Sequence, residues 1–109
     1  MAKETIFVDT SAWYATIDKN DRDHRAAVAK IQNLDHPLVT SNYIFDETLT
    51  LLKTRLNSTI AIQFGQKLWN QEVATVIRIT EEDEARELGQ YFANTKIKVS
   101  VLRIARPLL

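Results

Sequence analysis

Short apolar runs rich in β-branched residues alternate with longer segments in which apolar residues recur at helical spacing. Strand-like runs occupy Thr5–Val8, Pro37–Thr40 and Ala74–Ile79. The helical segments lie at about residues 11–18, 21–33, 44–55, 58–71 and 80–94, with Ser58 or Thr59 as the predicted cap of the fourth and Thr80 of the fifth. Because alternating strands and helices form right-handed βαβ units, the pattern predicts an α/β fold with a central parallel sheet covered on both faces.

The last residues add a further expectation to this fold. Residues 98–101 alternate, and residues 99–104 are apolar enough to form another strand, on the sheet or against another molecule at an exposed edge. The length of 109 residues predicts a single domain spanning residues 1–109, and 45% hydrophobic with 26% charged residues is ordinary for a soluble protein. Apolar runs are far shorter than the roughly 18 residues of a membrane span. With neither a secretory signal nor cysteine, the chain is expected in the cytoplasm.

The formal charge of zero conceals an uneven distribution. Four of the fourteen basic residues and none of the fourteen acidic ones lie within residues 96–109, so residues 1–95 carry ten basic and fourteen acidic side chains. The basic residues of this tail could face RNA, the acidic body or solvent, and solvent is the expectation.

Candidate chemistry is restricted to carboxylates. Both glycines lie inside helical patterns, which excludes a glycine-rich phosphate loop, and neither histidine has the spacing of a metal-binding helix. Asp9 ends the first strand, where open parallel sheets bind ligands, although it could instead cap the next helix. Glu47 lies on the rim of the apolar stripe of the third helix, while Asp46 points further from it; an ordinary boundary glutamate is the alternative. The acidic run 81–84 is interpreted as compensation of a helix dipole.

Several segments together closely resemble the PIN-domain family, especially its VapC-like toxins. They are IFVDTSA at 6–12, DHRAA at 23–27, TSNYIFDETLTLL at 40–52 and VIRIT at 76–80, and the resemblance covers about residues 4–95. It implies a three-layer α/β/α fold and a Mg²⁺- or Mn²⁺-dependent endoribonuclease. Asp9 and Glu47 would be the catalytic and metal-binding residues, with Thr10 or Ser11 as a supporting hydroxyl. RNA would be the substrate, and an antitoxin or a second copy the protein partner.

The chain departs from the family pattern after the fifth predicted helix. The family continues there with a segment that carries one or two further acids, whereas residues 96–109 contain none. The resemblance therefore implies a ribonuclease whose activity is weakened or lost. The alternative is a non-catalytic interaction protein that binds an antitoxin or itself. A haloacid dehalogenase-type phosphatase is a more distant reading, since it would need an aspartate where this chain has Ser11.

A shifted reading frame is one hypothesis for the basic tail. Permitted codons for residues 97–109, read from the third base of the first codon, encode KSFSFTDCTSFA, which matches the family segment with its acid. The nucleotide sequence beyond the codon for Asn94 tests this hypothesis, because an ordinary family ending must then lie in the shifted frame.

Overall fold

Four parallel strands form the centre of the computed structural model, which describes residues 5–80 and 99–103. The strands are β1 (Thr5–Val8), β2 (Leu38–Ser41), β3 (Thr75–Ile77) and β4 (Val99–Leu102), and they lie side by side in the order β3-β2-β1-β4. Every neighbouring pair is parallel. The predicted parallel α/β sheet is confirmed, and the tail segment predicted to add a strand does so as β4.

Two pairs of helices connect the first three strands. The helices α1 (Thr10–Ile17) and α2 (His24–Asn33) lead from β1 to β2, and α3 (Asn42–Arg55) and α4 (Ser58–Trp69) lead from β2 to β3. The predicted fifth helix lies outside the described residues. No helix in the described ranges is long and apolar enough to cross a membrane.

Side-chain hydrogen bonds move two helix starts away from their predicted positions. Asp23 donates its N–H to the Asp21 carboxylate across 2.8 Å, and this turn delays α2 from the predicted residue 21 to His24. Asn57, not Ser58 or Thr59, caps α4, because its side-chain oxygen accepts the N–H of Ile60 at 2.9 Å. The predicted cap was therefore wrong by one or two positions.

The predicted third strand is shortened at both ends. It runs from Thr75 to Ile77, and two residues later the N–H of Ile79 donates to the Asn42 side-chain oxygen at 2.8 Å. Since Asn42 is the first residue of α3, this bond ties the chain leaving β3 to the start of that helix.

The main core lies on one face of the sheet. Ile6 and Val8 of β1 pack there with apolar residues of α1, α3 and α4, including Trp13, Leu52, Phe64 and Leu68. The rings of Trp13 and Phe64 meet edge to face with centroids 5.5 Å apart. Phe7 points to the opposite face, where it packs with Val39 and Ile77. This alternation fixes the register of β1, because a one-residue slip would exchange the two faces.

Candidate active site

Asp9 lies at the carboxyl end of β1, as the sequence predicted. Its N–H donates to the Leu102 carbonyl of β4 at 3.0 Å, and its own carbonyl accepts the N–H groups of Ala12 and Trp13, both at 3.1 Å. The Thr40 hydroxyl of β2 donates to the Val8 carbonyl at 3.1 Å, one residue earlier. The backbone that carries Asp9 is therefore held by β2, β4 and the first turn of α1.

The Asp9 carboxylate is not used to cap α1. Asp9 occupies the N-cap position with extended backbone angles, yet its side chain accepts no capping hydrogen bond. It is half-buried, and within residues 5–80 and 99–103 it forms no ion pair. The alternative role of a helix cap is thus unfilled, which leaves both carboxylate oxygens for a ligand.

Two buried hydroxyls, each next in sequence to a predicted acid, lack hydrogen-bond partners among the described residues. The Thr10 side chain is 1% exposed and that of Thr48 is 0% exposed, and neither Oγ1 atom has a hydrogen-bond partner there. Thr10 follows Asp9 and Thr48 follows Glu47. Ser11, the other predicted hydroxyl, is also buried but has an interaction of its own. Because an unpaired buried hydroxyl is costly, the Thr10 hydroxyl is the one with unused bonding capacity beside Asp9.

Glu47 lies on the second turn of α3, the helix that starts directly at the carboxyl end of β2. Ser41 caps this helix by accepting the N–H of Ile44 at 3.1 Å. Since β2 adjoins β1, Asp9 and the first residue of α3 both lie at the carboxyl edge of the sheet, and Glu47 follows five residues into that helix. The Glu47 side chain is exposed, as is that of Asp46, so exposure does not separate the two acids. The described residues contain no group of three or more histidine, aspartate or glutamate side chains suited to a metal.

Exposed arginines stand on both sides of this edge. Arg78 follows β3, and Arg103 follows β4. Arg78 also lines a cavity of about 300 Å³ together with Asn42, Asp46 and Gln71. The positions of the two arginines were not singled out from the sequence. The available signal was that each lies one residue before the end of a strand-like run, and the carboxyl ends of parallel strands form the ligand-binding edge of a sheet.

An apolar groove of about 550 Å³ lies between α3 and α4. Phe45 and Leu49 contribute from α3, while Ile62 and Trp69 contribute from α4. Ile62 is 58% exposed and Trp69 is 62% exposed, so two large apolar side chains of one groove are open to solvent. Trp69 therefore lies outside the core.

Comparison with known proteins identifies the fold. A family model described as the PIN domain matches residues 6–104. The chain belongs to the PIN-domain family. Its PIN domain is similar in structure to VapC20 of Mycobacterium tuberculosis, described as a sarcin-ricin loop cleaving toxin. The TM-score is 0.67 and the sequence identity 27%, over 87% of this chain and 72% of VapC20. Comparison with curated proteins gives no significant match.

These matches confirm the predicted family and its VapC-like character. The match of the family model extends to residue 104, whereas the sequence resemblance was traced to about residue 95. It thus includes β4, whose residues pair with β1 along its whole length.

Proposed function

We propose that this PIN domain is a metal-dependent endoribonuclease of the VapC-like toxin type. The observation that carries the proposal is the position of Asp9. This residue directly follows β1 at the carboxyl edge of the sheet, and its carboxylate forms no capping hydrogen bond with α1. The similarity to VapC20, a toxin described as cleaving the sarcin-ricin loop, supports RNA as the substrate class. An antitoxin is the partner that this type of toxin implies.

The donor atoms at the edge fit a hard divalent cation such as Mg²⁺ or Mn²⁺. Asp9 and Glu47 supply carboxylate oxygens, and Thr10 supplies a buried hydroxyl that lacks a partner within the described residues. Mg²⁺ prefers oxygen ligands and is commonly held by one or two carboxylates together with water and substrate phosphate. A cation bound there would supply Lewis acidity to a phosphodiester and lower the pKa of bound water.

The residues of the chain itself have separate parts in this proposal. Asp9 and Glu47 bind the cation, and the hydrogen bonds from Asp9 N–H to Leu102 and from Thr40 to Val8 orient the strand end that bears Asp9. Residues 96–109 contain no acid, so Asp9 and Glu47 are the two carboxylates of the proposed site. We therefore expect cleavage to be weaker than in a PIN domain with a larger acidic set.

Cleavage of a structured RNA by the full chain tests the proposal. Activity should require Mg²⁺ or Mn²⁺, disappear with a chelator and return when the metal is restored. Asp9→Asn and Glu47→Gln should each lose at least the roughly 10- to 100-fold typical of damage to a metal-ligand environment. Asp46→Asn is the matched control, since Asp46 is an equally exposed acid on the same helix.

Two outcomes would contradict the assignment of the metal and of Glu47. Cleavage that persists in chelator would remove the metal from the proposal. If Asp46→Asn lost as much activity as Glu47→Gln, Glu47 would have no special place in the site.

The apolar groove favours a second candidate function, that of a non-catalytic interaction protein. We infer self-association as its basis, because a twofold interface places the same patch on both subunits and an apolar patch is complementary to itself. Ile62 and Trp69 would be its central contacts.

Sedimentation equilibrium distinguishes this candidate from the first. Self-association should be lost in Ile62→Glu, with Gln63→Glu, an exposed neighbour on α4, as the control. A monomer at all concentrations would contradict self-association, and binding of an antitoxin to that monomer would reassign the groove to that partner.

A further inference from the structure

Strand pairing places Arg103 beside Asp9. The ladder between β1 and β4 pairs Phe7 with Val101 and Val8 with Leu102, and the N–H of Asp9 continues it by donating to the Leu102 carbonyl at 3.0 Å. The next pair in this register is Asp9 and Arg103. Neighbouring strands lie about 4.7–4.9 Å apart, and residues paired in a parallel ladder lie on the same face of the sheet.

Asp9 and Arg103 nevertheless form no ion pair within the part of the chain that the structure describes, and Arg103 is exposed. An acid and an unpaired cation thus lie side by side at the edge of the sheet. Such a pair suits a ligand that carries negative charge and can also share a cation with a carboxylate, as a phosphate group does.

We propose that Arg103 binds a backbone phosphate of the nucleic acid next to Asp9. The guanidinium group can donate two parallel hydrogen bonds to phosphate oxygens, and its charge persists at every physiological pH. A counter-charge is needed at this place, because residues 1–95 have four more acidic than basic side chains and would repel RNA. The identity of the polymer as RNA rests on the proposed function, whereas the phosphate contact rests on the register of β4.

Binding of a labelled single-stranded RNA to the full chain in a metal-free buffer tests this contact without cleavage. Arg103→Gln should weaken binding about tenfold at low salt, as expected for loss of a charge-assisted hydrogen-bonded contact. The plot of log affinity against log salt should become shallower by about 0.7, the value for one phosphate contact to a single strand. Arg103→Lys should recover part of the affinity and the full salt slope, because it keeps the charge without the two-pronged geometry.

Arg25→Gln is the matched control. Arg25 is an exposed arginine of α2 that follows His24, whose ring nitrogen lies 2.8 Å from the Ala15 carbonyl near the end of α1 remote from Asp9. Its loss should leave both the affinity and the salt slope unchanged. Equal losses of RNA affinity in Arg25→Gln and Arg103→Gln would overturn the proposal, because both arginines would then act only through the overall charge of the protein.

Mn²⁺ binding gives a separate readout. If Arg103→Gln left RNA affinity unchanged but tightened Mn²⁺ binding, Arg103 would be a competitor of the metal for Asp9, and the phosphate contact would be refuted. Weaker RNA binding in a protein that does not cleave RNA would support the contact while refuting the ribonuclease. If the protein cleaved RNA and Arg103→Gln bound RNA as tightly as the parent, the ribonuclease would be supported and the phosphate contact refuted.

Discussion

The Trp13 indole N–H donates a hydrogen bond to the Thr40 hydroxyl across 3.3 Å, joining α1 to β2 inside the protein. The same hydroxyl donates to the Val8 carbonyl of β1. All three residues are buried, and the last of them directly precedes Asp9. One threonine side chain therefore connects the two central strands and the helix whose first turn begins beside the candidate metal ligand.

Thr40→Val should destabilise the protein by about 1–3 kcal/mol, the cost of leaving buried polar groups unpaired. Valine preserves the branched shape but removes the hydrogen bonds from the Trp13 N–H and to the Val8 carbonyl. Thr40→Ser keeps the hydroxyl and should recover most of this loss. Urea unfolding measures both variants, and a Thr40→Val free energy equal to that of the parent would show that these bonds do not contribute.

Tyr14 should make the protein sensitive to alkali. Burial raises the pKa of the Tyr14 hydroxyl above 10.0, and the hydrogen bond to the Asp18 carboxylate at 2.7 Å raises it further, while Arg55 above the ring acts in the opposite direction. A raised pKa in the folded state means that the fold favours the protonated hydroxyl. Its contribution to stability is complete below the unfolded pKa and is lost as the pH rises through the folded value.

The free energy of unfolding should consequently fall as the pH rises above 10.0, and less steeply in Tyr14→Phe. Asp18→Asn removes the carboxylate, so the pKa of Tyr14 should fall. Tyrosinate absorbance against pH, with Tyr14→Phe subtracted, measures that pKa directly. A Tyr14 pKa that rises in Asp18→Asn would contradict the assigned role of the carboxylate.

Gly65 in α4 allows close packing against α3, and an alanine there tests how rigid that contact is. A Cβ atom at Gly65 would lie 3.1 Å from Leu49 Cδ2, the end of a flexible side chain that borders the open groove. Alanine gains up to about 1 kcal/mol of helix propensity over glycine. Because the Leu49 methyl can shift into the groove, we expect Gly65→Ala to stabilise by about 0.5 kcal/mol. Lower stability in thermal unfolding would mean that Leu49 cannot move.

Within the described residues, local patterns were sufficient for the strands and helices but not for all of their ends. The β-branched run before Asp9 predicted β1 without error, since a continuous apolar run matches a strand that is buried on both faces. The start of α4 was misplaced because Asn57 and Ser58 are both good caps, and the choice depends on which backbone becomes extended. The predicted strand after residue 98 formed, yet its partner strand and register depend on tertiary pairing and were not predictable.

In the candidate site, too, local features could be predicted from the sequence and tertiary ones could not. Asp9 was predictable because a strand end is a local feature whose place in a parallel sheet is general. The neighbouring position of Arg103 required the register of β4, and the unpaired Thr10 hydroxyl required knowledge of what surrounds it. A sequence reports which polar groups exist, whereas burial without a partner is a property of the folded core.

Comparing Thr10 with Thr48 tests whether a buried hydroxyl without a described partner serves the metal site or is only buried. Thr10→Val and Thr48→Val each remove a hydroxyl that lacks a described partner, so each should stabilise the protein by about 1 kcal/mol. If Thr10 supports the metal beside Asp9, Thr10→Val should also weaken Mn²⁺ binding and RNA cleavage. Thr48→Val is the matched control and should leave both unchanged, although Thr48 adjoins Glu47. Calorimetric titration with Mn²⁺ and thermal unfolding make the comparison, and equal metal affinities in the two variants would remove Thr10 from the site.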